Sequence, residues 1–589
     1  MKKFLYIGIA VIVAGLVAGC GSQEVTTNEE PTQKQVEPLD ENRTVAYRIA
    51  AQELTKTTAL SILNNKAAYV SSQCYTKTVD ENNVAHNPCF SCHINSAEPN
   101  YVDDADLQAS YNFSEYTATN RWTNLFKDRT QQVANITNDE MLHYVRQSNY
   151  FDENKSIVLN AILASVPNEW DYNSDGVWSG YRPDCYFNFD TEGFDQTPEG
   201  DYTGWRAFAY YPFLGTFWPT NGSMDDVLIR LPKVMREDKN KKLDLKVYKI
   251  NLAVVESLIK KKSIKIESVD EKVYGVDLNN NGILDVADEV VYNWVAPKYD
   301  FTTKKYTHFS MHYVGAAKEA LINNDLHIAP GLYPEGTEFL HSVRYMDVQN
   351  NNSLVMAPRM KELRYSKKTA WNTYPELNNA TKAEIKEKEV FPDRLRTISG
   401  DAEHGLRNGL GWRYQGFIED KKGYLRPQTY EETLFCIGCH SGIGATVDSS
   451  FVFSRKLDEA QGVKNWYHWS QKGLEGIKEP KLDDGRYEYE LYLQANGAGD
   501  EFRDNQELQE KFFDLNGSLK SDELVKARDN IAYLLLPSVE RALELDKAYK
   551  TIVEEQSFIY GRDAHVKPVT NVHQKLEPKT DTNVTVIAK

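Results

Sequence analysis

Apolar positions change period twice along the chain. In "TVAYRIAAQELTKTTALSILNN" (44–65) they recur with helical spacing. "ITNDEMLHYVRQ" (136–147) predicts a second helix, with Thr137 as N-cap and Glu140 three residues on in a capping-box pattern. Between about 160 and 375 the texture turns to aromatic and β-branched runs bounded by turn residues: "GWRAFAYYPFLGTFW", "DDVLIRL", "VVYNWVA" and "GTEFLHSVRYMDV". "DVQNNNSLVM" predicts a hairpin turn between two of these strands, and "KINLAVVESLIKK" a helix among them. Helical period returns after 380 and ends in "SDELVKARDNIAYLLL" and "SVERALELDKAYKTIVEE", separated by Pro537. No repeat of solenoid type is present.

The first twenty residues are of another kind. Lys2 and Lys3 precede the apolar run "FLYIGIAVIVAGLVAG", which has the form of a secretory leader. "VAGC" (Val17–Cys20) resembles the bacterial lipobox, with valine where that motif prefers leucine. The resemblance implies cleavage before Cys20 and diacylation of its thiol. Gly21 stands where an aspartate would retain a lipoprotein at the inner membrane, so outer-membrane attachment is expected, facing the periplasm or the cell surface. The polar, acidic stretch to residue 44 predicts a flexible tether.

At 589 residues the chain exceeds what one core usually serves, and 41% hydrophobic residues are enough to fill more than one. A net charge of −17 argues against nucleic acid and acidic lipid as partners. The expected contacts are a redox protein with a basic face and a membrane reached only through the lipid anchor.

The candidate chemistry lies in the cysteines. "NPCFSCHIN" carries Cys89, Cys92 and His93, and "ETLFCIGCHSG" carries Cys436, Cys439 and His440. C-x-x-C alone suits redox or zinc chemistry, but the histidine directly behind it points to covalent haem, with two thioethers and an axial imidazole. The motif resembles that of c-type cytochromes, and the pair resembles bacterial di-haem c-type cytochromes. That resemblance implies two haem c groups, with His93 and His440 as iron ligands. The expected fold is α+β and multidomain: two mainly helical cytochrome c-like regions, 45–155 and 380–575, flanking a β-rich middle domain, 160–375. The remaining Cys74 and Cys185 form an even pair in an oxidising compartment, for which a disulfide or two structural thiols are the alternatives.

The sixth position of each iron separates a carrier from an enzyme. No methionine follows Met360, so a downstream ligand of the second haem must be a histidine. Elimination favours His468 in the aromatic "NWYHWS", with His404 as rival. Calcium is the other expected cofactor. "DLNNNGILDVAD" sets Asp277, Asn279, Asn281, the Ile283 carbonyl, Asp285 and Asp288 at positions one, three, five, seven, nine and twelve of an oxygen-ligand loop, with Gly282 at the sharp turn. "DYNSDGVWSGYRPD" repeats the opening but has Arg182 at position twelve. The leading expectation is an electron-transfer lipoprotein. The alternatives are a di-haem oxidoreductase resembling cytochrome c peroxidase and a surface interaction protein.

Overall fold

The computed structural model describes residues 70–77, 99, 114–214, 221–391, 393–394, 397–458, 465–497 and 505–577. The expected helix at 44–65 and the first motif, Cys89, Cys92 and His93, lie outside these residues, as does Cys20. Strands β1 (Phe194–Gln196), β2 (Tyr202–Ala207), β3 (Met224–Asp225) and β4 (Leu228–Arg230) come first. Two small hairpins follow, β5 (Ile264–Asp270) with β6 (Val286–Val290), and β7 (Lys298–Asp300) with β8 (Lys305–Thr307). The remaining strands are β9 (Glu338–Val348), β10 (Leu354–Lys368), β11 (Gly400–Asp401), β12 (Gly405–Arg407), β13 (Trp412–Glu419) and β14 (Leu425–Pro427). Apart from the two hairpins, all of them join one antiparallel sheet of ten strands. Its order is β1-β2-β4-β9-β10-β13-β12-β11, with β3 on β9 and β14 on β13.

This sheet corrects the expected layout. Its strands run from 194 to 427, so residues assigned to a helical C-terminal region supply β11 to β14. The described residues hold no pair of helical cytochrome-like regions flanking a separate β domain. The sheet is central because β9 is buried along most of its length and β10 through its middle, Arg359–Leu363, and helices cover them. Helix α1 (Asn138–Arg146) packs on both strands, opened by the Thr137–Glu140 capping box. Arg146 reaches Asp347 at 2.9 Å, and Met141 is fully buried beneath it. Helix α2 (Leu245–Lys260) is the one expected from "KINLAVVESLIKK", capped by Asp244 and ended by Lys261 in the left-handed region. Helix α3 (Tyr430–Cys439) follows β14 directly, and α4 (Val539–Glu555) lies on β9.

The β9–β10 hairpin turns at 349–353 as its asparagines predicted, with Asn352 at φ +64°. Further along, β10 bulges around Pro358. It spends six residues, 356 to 362, where β9 spends three, 346 to 343. The excess is odd, so β10 side chains beyond the bulge face the opposite way from an unbroken register. Asn149 fills the gap, donating to the Met360 carbonyl at 2.8 Å and accepting from its N–H at 2.9 Å. That shift sets Arg364 directly opposite His341.

The ends of the described chain meet. Thr76 bridges to Val572 and Thr119 to Lys575, and the His573 N–H donates to the Tyr75 carbonyl at 2.7 Å. Trp122 seals this junction through its indole N–H, 2.9 Å from the Val70 carbonyl.

Candidate functional site

A cavity of about 250 Å³ lies where one face of β9, β10 and β13 meets the last turn of α3. Alternation supplies pairs two residues apart from β9 and β13, Phe339 with His341 and Trp412 with Tyr414, while β10 contributes the consecutive Arg364, Tyr365 and Ser366. The facing wall holds Cys436, Cys439 and His440. Cys436 and Cys439 are one turn apart on α3, hence on one face, and both are free thiols. Burial pushes both thiols up from their ordinary value. Among the described residues no three His, Cys, Asp or Glu side chains gather to hold a metal.

The helix that carries the cysteines is fixed at its start. Thr429 and Glu432 form its capping box, and Arg426 clasps the Glu432 carboxylate with two bonds of 2.8 and 2.9 Å. Beneath the cavity Glu362 sits between two guanidinium groups, Arg364 at 3.0 Å and Arg562 at 2.6 Å. Burial alone would raise its carboxyl, but Arg364 and Arg562 outweigh this and hold it down at about 2.

His440 leaves α3 as its C-cap. Its Nδ1 lies 3.0 Å from the Ser449 carbonyl, which leaves Nε2 without a hydrogen bond among the described residues. The acceptor sits in a two-residue turn, 447–450, closed by reciprocal backbone bonds of 2.8 and 3.1 Å. Both central residues take left-handed φ, +52° at Asp448 and +60° at Ser449, which a turn of the I′ kind requires and glycine would adopt at less cost. A buried ion pair keeps this turn in place. Lys368 Nζ is 2.6 Å from Asp448 Oδ1, and the Tyr333 N–H donates to Asp448 Oδ2 at 3.0 Å. The Ser449 hydroxyl, which also lines the cavity, is buried with no hydrogen-bond partner among the described residues.

His341 is the imidazole on the sheet wall. Its Nδ1 is bonded to the Asp226 carbonyl, and its Nε2 lies 3.3 Å from Asp225 Oδ2. Burial, then the Arg364 charge, push His341 down to about 4, and burial and Arg364 bring His440 to the same value, so both rings are neutral. Asp225 is raised by burial and accepts a hydrogen bond from the Tyr210 hydroxyl.

His468 and His404 stand elsewhere. His468 is buried, with Nε2 2.9 Å from Asp226 Oδ2 and Nδ1 2.7 Å from the Ser470 hydroxyl, so both nitrogens are engaged and the ring does not line the cavity. It braces Asp226, the residue whose carbonyl holds His341. His404 is tied to Asp401 and to the Ser179 hydroxyl. Cys74 and Cys185 are not joined. Cys185 is fully buried beside Tyr150, whose hydroxyl donates to its carbonyl, while Cys74 lines the cavity with the second motif. Elimination among downstream residues missed His341, which lies almost a hundred positions before the motif. Strand alternation in "EFLHSVRY", setting it beside Phe339, was the available signal.

In the oxygen-rich loop, Asp277 accepts from the N–H groups of Asn281 and Gly282, and the amides of Asn279 and Asn281 both reach Asp285 Oδ1. Ile283 is exposed, and Asp288 is exposed on β6. Glu271, fully buried and not anticipated, accepts from the N–H groups of Leu278, Asn279 and Asp285. The second loop is built the same way. Asp171 accepts from Asp175 and Gly176, and buried Glu403 takes the N–H groups of Tyr172 and Ser179.

A family model of lipoproteins matches residues 58–532. An uncharacterized lipoprotein of Aquifex aeolicus (strain VF5) is 33% identical over 547 residues, covering 86% of each chain. No solved structure matches. These matches overturn the resemblance to di-haem cytochromes as a family assignment, and with it the electron-carrier and peroxidase readings drawn from it. Neither match names a cytochrome or a peroxidase, and nothing supports the interaction-protein alternative. Among the described residues no helix is long and apolar enough to cross a membrane. The chain belongs to this lipoprotein family and is an exported, lipid-anchored protein.

Proposed function

We propose that the protein binds a tetrapyrrole at the cell envelope, as a haem attached covalently to Cys436 and Cys439 with His440 as iron ligand. The observation that carries this is His440. A ring held at Nδ1 by a backbone carbonyl is fixed in the tautomer that leaves Nε2 as ligand, and it opens onto the cavity its neighbouring thiols share. The thiols fit, since they are unpaired and one turn apart. The walls fit, since Phe339, Trp412, Tyr414 and Phe451 give the apolar aromatic lining that a large planar group requires. When bound through its vinyl groups, such a group supplies an iron with axial positions for nitrogen and small ligands. The protein's own part is to orient His440, exclude water and set Arg364 beside the bound group. The first motif has the same three residues, Cys89, Cys92 and His93, and the reading extends to a second group there.

The test is the mass of the protein purified from the envelope fraction of an expressing cell that matures such groups. Two additions of haem mass and a diacylated Cys20 are expected, with one haem addition lost in a Cys436→Ser, Cys439→Ser variant. A wild-type mass without haem overturns the proposal.

We further propose that the loop at 277–285 binds a structural calcium ion, supported by the oxygen-bearing side chains of Asp277, Asn279, Asn281 and Asp285 at alternate positions around Gly282. Asp277→Ala with Asp285→Ala is then expected to lower the melting temperature in calcium and to leave it unchanged in chelator. An equal loss in both conditions identifies the loop as a polar turn alone.

A further inference from the structure

We infer that His341 is the second axial ligand of the group held at Cys436, Cys439 and His440. The inference rests on the proposed function and adds the residue that completes the site. Three observations carry it.

The two rings are anchored alike. His440 is held at Nδ1 by the Ser449 carbonyl and His341 at Nδ1 by the Asp226 carbonyl, so each leaves Nε2 as the atom able to ligate. Nε2 of His341 has no hydrogen bond among the described residues and lies 3.3 Å from a carboxyl oxygen of Asp225, which a ligand at this ring would face. His468 and His404 have both nitrogens occupied.

The rings also reach the cavity from different walls. His440 lies against Tyr414 of β13, ring centres 5.1 Å apart, at the end of α3. His341 projects from β9, two inter-strand spacings or roughly 10 Å from β13. The two imidazoles thus reach one cavity from separate elements, His440 from the end of the helix and His341 from the sheet.

Finally, His341 is rigidly held. It sits mid-strand in the longest hairpin of the sheet, opposite Arg364, and the Asp226 behind it is itself fixed by Ser342 and His468. A ligand must keep its position through changes at the iron, and His341 is anchored both by its strand and through Asp226.

The experiment uses full-length protein and two readouts, the mass of the covalent adduct and the ferric absorption and electron-spin-resonance spectra. The wild type is expected to be low-spin at this centre. His341→Ala should keep the adduct mass while one low-spin signal becomes high-spin, and added imidazole should restore it. His341→Met, which keeps a ligating atom, should remain low-spin with a raised reduction potential, since a thioether stabilises ferrous iron. If the adduct is present and neither variant changes spectrum or potential, His341 is not the ligand, although the attachment stands. An absent adduct in the wild type instead overturns the attachment and the inference with it.

Discussion

Replacing Glu362 with alanine is expected to destabilise the protein by about 3–5 kcal/mol, because it strands two guanidinium groups in the interior. Glu362 is 1% exposed and sits between Arg364 and Arg562, with the Gln428 amide donating to the same carboxylate at 3.1 Å. Removing the anion leaves two buried cations facing each other with no compensating charge. The loss should appear as a lower midpoint in urea with an unchanged slope. The same pair dictates an acid response. The Glu362 carboxyl is depressed in the folded state to about 2 from the ordinary 4.5, so its contribution is complete above pH 4.5 and disappears as pH falls through 2. The stability gap between wild type and Glu362→Gln should therefore narrow across that window. A gap that stays constant from pH 6 to pH 2.5 would show that the charge of Glu362 contributes nothing.

Asp448→Ala is expected to cost a similar 3–5 kcal/mol and to disturb His440 as well. The carboxylate is the buried partner of Lys368 and the acceptor for the Tyr333 N–H, and Lys368 is fully buried. It also pins a turn whose two central residues hold left-handed φ without being glycine. Loss of the pin releases that conformation, and the Ser449 carbonyl moves away from His440 Nδ1. Ser449→Gly separates the two effects. It keeps the ion pair and the carbonyl while removing the Cβ penalty, so it should stabilise by roughly 0.5–1 kcal/mol. If Ser449→Gly destabilises instead, the turn is not strained in the way its φ values indicate.

Local rules reached part of this architecture. The capping box at Thr137 and Glu140, the helix under "KINLAVVESLIKK" and the asparagine turn at 349–353 follow from residue chemistry over a few positions, and the structure has all three. The sheet order was not accessible in that way. Strands β11 to β14 are two to eight residues long and lie in a stretch whose later helices dominate the pattern. The pairing of β13 with β10, on which the other three strands build, is a long-range choice made by burial. Parity made Cys74 and Cys185 a natural pair, but counting has no geometry, and the fold carries one thiol to the cavity and the other into a separate interior. The bulge in β10 had the same invisibility. Its net excess of three residues decides that Arg364 meets His341, and nothing in the sequence of β10 alone announces that number.

The clasp between residues 75–77 and 571–573 has a meaning in time. Ser71, Gln73 and Cys74 form part of the cavity wall, and Tyr75, Thr76 and Lys77 next to them pair with residues 571–573, among the last of the described chain. Closing a contact across nearly the whole polypeptide costs loop entropy that only the finished core repays, so this wall is expected to assemble late. A chain that emerges amino end first keeps the cavity open until its carboxyl end arrives. The topology thus sets aside an interval in which a group can enter the cavity before this wall is complete.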